Sequence, residues 1–287
     1  MFVSDRLVFV ELHKTGGTHI GRWLAELVGG EQVGKHNRVP PELRDRFVLG
    51  SVRNPWDWYV SLWAFGCGGE GGVFRQTTRR VDWSYLNREL HPSMGRRRTH
   101  LRASLEQGLR NLLFKPVRRW RRSYRDPTDP AAFREWLFLV LDPSRRFDVG
   151  EGFGFSPVSA HSGLLTYRFL KLFTDAGRAL YEDPALGNLT GVRRLWQEKR
   201  IVDFVIHTEN LEADLMEGLR QAGHEVTPAQ RAALLGARDD RTNASKRRRT
   251  EHYYDEESIE LVARRERLVI ESFGYEAPRP APARAAR

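Results

Sequence analysis

Two short stretches of the sequence carry residue types suited to binding phosphate groups. Residues 13–18 read HKTGGT and follow an apolar run, so a lysine and two glycines stand at a predicted strand-to-helix turn. Amide N–H groups and the positive end of the dipole attract anions to a helix start, and glycine lets an anion approach the backbone. Lys14 would add a full positive charge at this loop. The stretch therefore predicts an anion site.

The second stretch, VLGSVRNPWDWYVSLW at residues 48–63, follows another predicted strand. Arg53 stands at the end of that strand, and Ser61 comes eight residues later within the next helix. An arginine fork and a hydroxyl in this arrangement could hold a second phosphate. The alternative is that Arg53 forms a surface ion pair and Ser61 only packs within the helix.

Strands and helices must position these two stretches. The apolar patterns predict strands at 6–12, 46–52 and 201–207, and helices at 18–28, 54–65, 129–142, 188–200, 210–223 and 255–274. Strands that alternate with helices indicate an α/β fold, with a central, mainly parallel sheet flanked by helices. Ligands of such sheets bind at the carboxyl ends of the strands, where both stretches stand. The Pro/Ala/Arg-rich residues 277–287 are predicted to be a disordered tail.

The composition favours a soluble, cytoplasmic protein. The chain has 287 residues and a single cysteine, which excludes a disulfide framework and favours a reducing compartment. We expect no signal peptide and no membrane span, since the longest apolar runs are far shorter than a bilayer requires.

Positive charge is concentrated in one segment. Residues 75–125 hold 15 Lys/Arg and 3 Asp/Glu, an excess of +12, whereas the whole chain carries +10. Such a segment attracts a polyanion or an acidic substrate, and the alternative is a solvated, arginine-rich surface.

The two phosphate-binding stretches together resemble the sulfotransferases that use 3′-phosphoadenosine 5′-phosphosulfate. HKTGGT resembles the family's 5′-phosphosulfate loop, and VRNPWDWYVSLW at 52–63 resembles its 3′-phosphate motif. The stretches at 205–215 and 253–275 are similar to later elements of the family. The resemblance implies a P-loop-like sulfotransferase architecture in a single domain, 1–276, with a basic, largely helical insertion at 66–165 on the acceptor side.

The resemblance also implies the reaction and the roles of particular residues. A sulfonate group would pass from the phosphosulfate donor to an acceptor hydroxyl or amine without a metal, and Lys14 would neutralise the leaving oxygen. Arg53 and Ser61 would hold the 3′-phosphate, with Lys246 or Arg247 closing over it. The loop residues implied in donor binding are Lys14, Thr15, Gly16, Gly17, Thr18 and His19. His19 stands where the family often has serine, which puts one side-chain contact with phosphate in doubt.

A general base must take the proton of the acceptor. His36 lies between the two motifs and has a suitable ordinary pKa, with Glu31 and Glu42 as rivals and His91, His100 and His161 as further candidates. The basic segment favours an anionic acceptor such as an acidic glycan. The sequence does not indicate the oligomeric state.

Two other classes of function remain open. A P-loop-type kinase or nucleotide hydrolase is the main alternative, although Lys14 precedes the glycines and the Walker A order is absent. A nucleic-acid-binding protein is the second, although the basic segment has no recognisable readout motif, so we expect no nucleic-acid partner.

Overall fold

A five-stranded sheet runs through the described part of the chain, which in this computed structural model is residues 1–80, 108–236 and 247–280. The strands are β1 Phe2–Val3, β2 Leu7–Val10, β3 Glu31–Gln32, β4 Phe47–Val52 and β5 Phe204–His207. Their order across the sheet is β3-β1-β2-β4-β5. Strands β2, β4 and β5 are parallel, while β1 and β3 are antiparallel additions at one edge. The predicted α/β class is confirmed, but the sheet is mixed.

The sequence did not predict β1 and β3 because two residues are too few for a recognisable alternation of apolar and polar positions. The three parallel strands were predicted, each one to three residues too long. Their register places the carboxyl ends side by side, since Val10 pairs with Gly50 and Val52 pairs with His207. The segments that follow these strands therefore meet at one edge of the sheet.

Helices make up most of the remaining described chain. Two of them flank the phosphate-binding stretches: α1, Gly17–Val28, and α2, Pro55–Cys67. The others are α3 Gly72–Thr78, α4 at 108–114, α5 Val117–Arg122, α6 Pro130–Leu141, α7 Val158–His161, α8 Leu164–Phe173, α9 Ala179–Glu182, α10 Leu189–Lys199, α11 Leu211–Gln221, α12 Pro228–Gly236, α13 Glu256–Arg265 and α14 Arg267–Phe273.

Side-chain caps begin three of the helices that the sequence predicted. The Asn54 side chain accepts hydrogen bonds from the backbone N–H groups of Trp56 and Asp57 at the start of α2. Asp129 caps α6 and Asn188 caps α10 in the same way. These caps fix where each helix begins, because they satisfy N–H groups that have no partner within the helix.

The described parts of the 66–165 segment contain several helices and share the main core. Val73, Trp120 and Phe133 from this segment belong to the same buried cluster as Val10 and Val52 of the parallel strands. The indole of Trp63 on α2 also donates a hydrogen bond to the carbonyl of Ser123 at 2.7 Å. The segment therefore packs against the sheet-bearing part of the chain. Residues 81–107, which include His91 and His100, lie outside the described residues.

The helix predicted over 255–274 is wrong in one respect, because it is broken at Glu266 into α13 and α14. Glu266 is fully buried, and its carboxylate accepts hydrogen bonds from Tyr59 Oη and from Leu165 and Thr166 at the start of α8. The break thus places a carboxylate at the N-terminus of another helix, where the N–H groups need acceptors.

No helix in the described ranges is both long and apolar enough to cross a membrane. Residues 277–280 have no regular secondary structure, and the rest of the predicted tail lies beyond the described residues.

Candidate functional site

The two phosphate-binding stretches lie against each other. Arg53, directly after β4, donates a hydrogen bond from Nη1 to the main-chain carbonyl of Lys14 at 3.1 Å. The indole of Trp58 on α2 donates to the neighbouring carbonyl of His13 at 2.6 Å. Two successive carbonyl oxygens of the first loop are therefore bound by the second stretch, which fixes the loop against α2.

The N–H groups of residues 15–18 in the first loop have no such partners within the described chain. Among the described residues, no hydrogen bond is donated by the amides of Thr15, Gly16, Gly17 or Thr18, whereas His19 and Ile20 both donate to the carbonyl of Gly16. Four neighbouring donors thus stand at the start of α1, where the dipole adds partial positive charge. This arrangement can bind an anionic group such as a phosphate.

The two loop glycines are required by the fold. Gly16 adopts φ +78°, which favours glycine, and a Cβ on Gly17 would lie 2.2 Å from Cγ of Glu11. At Gly17, packing against a buried carboxylate side chain is therefore a further reason for glycine, beside the close approach of an anion that the sequence predicts.

The side chains of the loop divide into buried and exposed groups. Thr15 is fully buried, and its hydroxyl donates to the carbonyl of Leu12 at 2.8 Å, so it accepts from Ser51 Oγ at 2.7 Å. The Thr15 hydroxyl is therefore occupied by hydrogen bonds within the protein, and only the backbone N–H group of Thr15 remains for a ligand. Thr18 is exposed, and the ring of His19 packs edge-on against Trp23.

Two arginines near the loop form a cationic group by sharing the carboxylate of Asp57. Asp57 accepts Arg53 Nε on Oδ2 at 2.7 Å and Arg247 Nη1 on Oδ1 at 2.6 Å, with the hydroxyl of Thr250 also on Oδ1. Burial alone would raise the pKa of Asp57, but Arg53, Arg247 and Thr250 outweigh it and lower that pKa to about 2. With Lys14, the group carries three positive charges against one negative charge.

Lys14 is the cation without an acidic partner in the described chain. Its Nζ lies 3.9 Å from the centroid of the Phe65 ring, and its backbone has φ +64°. Burial, followed by the positive charges of Arg53 and Arg247, lowers its pKa to about 8. An anion at this position would be attracted by all three cations and would restore the ordinary pKa of Lys14.

The structure also locates the other residues that were expected to bind the donor nucleotide. Ser61 is buried on α2, one turn beyond Asp57, so Arg53, Asp57 and Ser61 recur at four-residue intervals. Arg247 reaches the same carboxylate as Arg53, whereas Lys246 lies outside the described residues. The sequence reasoning missed Asp57, although its spacing from Arg53 is typical of an ion pair on a helix.

The candidate bases lie in different environments. His36 has φ +57°, stacks on His13 at 3.5 Å between ring centroids, and bonds through Nδ1 to the carbonyl of Glu11 at 2.8 Å. Because a carbonyl only accepts, Nδ1 carries the proton and Nε2 has the lone pair in the neutral ring. Burial lowers the pKa of His36. The stack places His36 beside the residue that precedes Lys14.

The rival bases stand elsewhere. Glu31 is exposed on the edge strand β3, and Glu42 is exposed in a short 3-10 turn. His161 ends α7, where burial and then Arg265 and Arg267 lower its pKa. None of the three contacts the loop at Lys14 within the described chain.

A buried ion pair that the sequence reasoning missed adjoins the histidines. Arg168 on α8 binds both oxygens of Glu151, and its guanidinium carbon lies 5.6 Å from the centroid of the Trp58 ring. Burial, then the positive charge of Arg168, places the pKa of His13 well below its ordinary value. The apolar spacing of LLTYRFLKLF at 164–173 could have predicted α8, but nothing in the sequence links Arg168 with Glu151.

Across the described ranges, no three His, Cys, Asp or Glu side chains come together as metal ligands. The chain matches no protein-family model, no curated protein and no solved structure.

Proposed function

We propose that this protein is a sulfotransferase that moves a sulfonate group from 3′-phosphoadenosine 5′-phosphosulfate to a hydroxyl or amine of an acceptor. The observation that carries the proposal is the hydrogen bond from Arg53 to the Lys14 carbonyl. It joins two loops that could each hold one phosphate-bearing end of the same nucleotide. A ligand with a single phosphate would leave one of them unused.

The residues present fit such a donor. Four loop amides without acceptors among the described residues, two arginines that share one carboxylate, and Lys14 together provide more hydrogen-bond donors than local acceptors. The excess positive charge extends from Lys14 to Arg247. Two anionic groups at opposite ends of a nucleotide would balance it.

Each residue would have a distinct role in the reaction. The donor supplies an activated sulfonate, whose bond from sulfur to the bridging oxygen breaks as the acceptor oxygen or nitrogen bonds to sulfur, leaving adenosine 3′,5′-bisphosphate. Lys14 stabilises the charge that develops on the bridging oxygen, and the loop amides orient the 5′-phosphate. Arg53 and Arg247 hold the 3′-phosphate. His36, neutral with Nε2 unprotonated, accepts the acceptor's proton.

Calorimetric titration of the full chain with adenosine 3′,5′-bisphosphate and, separately, with ATP–Mg²⁺ tests the proposal. We expect the bisphosphate to bind more tightly, and Arg53→Gln to weaken it by about tenfold or more. The matched control is Arg44→Gln, since Arg44 pairs with Asp175 at the surface. Lys14→Met should abolish transfer from labelled donor to a panel of acceptors, whereas the exposed Lys199→Met should retain it.

Two results would overturn the proposal. One is preference for ATP–Mg²⁺ over the bisphosphate, which would indicate a kinase or nucleotide hydrolase. The other is bisphosphate binding that Arg53→Gln and Arg44→Gln weaken equally, because the two loops would then not share one ligand.

A further inference from the structure

Helix α4, at 108–114, presents apolar side chains to solvent. Leu109 is 59% exposed, Leu113 61% and Phe114 68%, with Leu112 also exposed. Leu109, Leu112 and Leu113 have the i, i+3, i+4 spacing of one helix face. Such a cluster is unusual at a surface and marks a place of contact with an apolar partner.

The opposite face holds the helix to the protein. Asn111 and Lys115, one turn apart, are buried, and Lys115 Nζ donates to the carbonyl of Gln76 at the end of α3 at 2.8 Å. The exposed leucines therefore face away from a fixed point of attachment, in the manner of an amphipathic helix.

Basic residues lie beside the apolar face, since Lys115 directly follows Phe114 and Arg80 donates a hydrogen bond to the carbonyl of Leu112. A cavity of about 810 Å³ opens beside it, and six of its eight lining residues are basic while none is acidic. The lining residues are Arg79, Arg80, Lys115, Pro116, Val117, Arg118, Arg119 and Arg121. Arg110, on α4 itself, is also exposed. Arg119 and Arg122 share Glu135, but Arg118 has no acidic partner in the described ranges.

We propose that α4 and this basic rim dock the protein onto an anionic lipid membrane, with α4 lying in the plane of the interface. The leucines and Phe114 would enter the boundary between headgroups and acyl chains, while the arginines bind lipid phosphates. A membrane would therefore contact both the apolar face of α4 and the basic rim. A nucleic acid or an acidic glycan would engage the arginines but would leave the leucines in water.

The end of α2 connects the docking surface with the candidate site. Phe65 near the end of α2 lies under Lys14, and Cys67, two residues further, lines a pocket with Arg79 and Arg121. A membrane-bound orientation would thus place the end of α2 near the lipid surface. The docking itself does not depend on the proposed sulfotransferase activity, and its test does not measure that activity.

Co-sedimentation of the full chain with vesicles tests the proposal. We expect strong binding to mixed phosphatidylcholine–phosphatidylglycerol vesicles, weaker binding to phosphatidylcholine alone, and a decrease as salt increases. The triple variant Leu109→Gln/Leu113→Gln/Phe114→Gln should bind the mixed vesicles about tenfold more weakly. Its matched control, Val33→Gln/Leu235→Gln, changes apolar residues exposed elsewhere and should bind like the wild type.

A variant that removes two positive charges and a competing oligonucleotide complete the experiment. Arg110→Gln/Arg118→Gln should weaken binding to mixed vesicles and reduce its salt dependence, whereas Arg178→Gln/Arg231→Gln, at other exposed positions, should not. Circular dichroism and urea unfolding check that each variant folds. Equal binding of the two vesicle types overturns the proposal, as does full binding by the triple apolar variant. A single-stranded oligonucleotide that displaces the protein from vesicles and binds the triple variant unchanged also overturns it and indicates nucleic-acid recognition.

Discussion

Arg53 and Arg247 bind opposite oxygens of one carboxylate, that of Asp57, although 194 positions separate them along the chain. Asp57 therefore ties the strand-end loop before α2 to the segment that precedes α13. Without it, two partly buried guanidinium groups would repel each other and Lys14. The carboxylate keeps the cations in place and still leaves the cluster with excess positive charge.

Asp57→Asn should lower the free energy of unfolding by about 2 kcal/mol at pH 7. The reason is that the folded-state pKa of Asp57 is lowered from 3.8 to about 2. This stabilisation is complete above pH 3.8 and is lost as the pH falls through 2. Urea unfolding of both proteins between pH 6 and pH 2 measures it.

Asp175→Asn is the matched control for that experiment, because Asp175 pairs with Arg44 at an exposed position. Exposed pairs contribute up to about 1 kcal/mol and often less. If the two variants lose the same stability, or if the difference between wild type and Asp57→Asn does not shrink in acid, the assigned role of Asp57 is wrong.

Nucleotide binding should weaken as the pH rises through about 8, where Lys14 loses its proton in the free protein. The phosphates of adenosine 3′,5′-bisphosphate are fully ionised above neutrality, so they add no dependence there. Lys14→Arg keeps its charge throughout this range and should bind with nearly constant affinity. Titrations between pH 7 and pH 9.5 measure the dissociation constants, and a flat wild-type profile would contradict Lys14 as a ligand of the nucleotide.

The sequence predicted the parts of the site that depend on local chemistry. The strand-to-helix turn at residues 13–18 and the Asn54–Pro55 helix start require only neighbouring residues, and both appear where they were expected. The adjacency of the two loops followed from parallel strands. The contact that holds the two loops together is a hydrogen bond from Arg53 to a main-chain carbonyl. The sequence could not predict it, because every residue has a main-chain carbonyl.

Contacts between distant segments could not be predicted in this way. The sequence analysis gave neither Glu151 nor Arg168 a role of its own, and only the packing of α8 brings Arg168 to Glu151 and to Trp58. The helix break at Glu266 could not be predicted from the sequence for a similar reason. Its sequence, ARRERLVIESF, continues a helical pattern, and the cause of the break is an acceptor needed at the start of another helix.

Glu266→Ala should lower the free energy of unfolding by about 3 kcal/mol or more, since it leaves buried donors on Tyr59, Leu165 and Thr166 without their acceptor. Glu266→Gln keeps one acceptor oxygen and should lose less. Glu271→Ala, which removes exposed bonds to Arg193 and Arg267, should lose under about 1 kcal/mol. Urea unfolding at pH 7 gives all three values. Equal losses for Glu266→Ala and Glu271→Ala would show that the carboxylate does not cap α8.

His36→Asn should abolish sulfonate transfer while leaving the binding of adenosine 3′,5′-bisphosphate within about twofold of the wild type. Asparagine tolerates the left-handed backbone at φ +57° and can donate its amide toward the Glu11 carbonyl, but it has no basic nitrogen. In the wild type, the acid limb of the pH–rate profile should lie below pH 6.5, because burial lowers the pKa of His36.

The measurement compares turnover with labelled donor, on whichever acceptor the panel identifies, with calorimetric binding of the bisphosphate. His161→Asn is the matched control, since His161 lies at the end of α7 and should leave turnover unchanged. Loss of nucleotide affinity in His36→Asn would show that the stack with His13 shapes the loop at Lys14. Unchanged turnover would instead show that another group takes the proton.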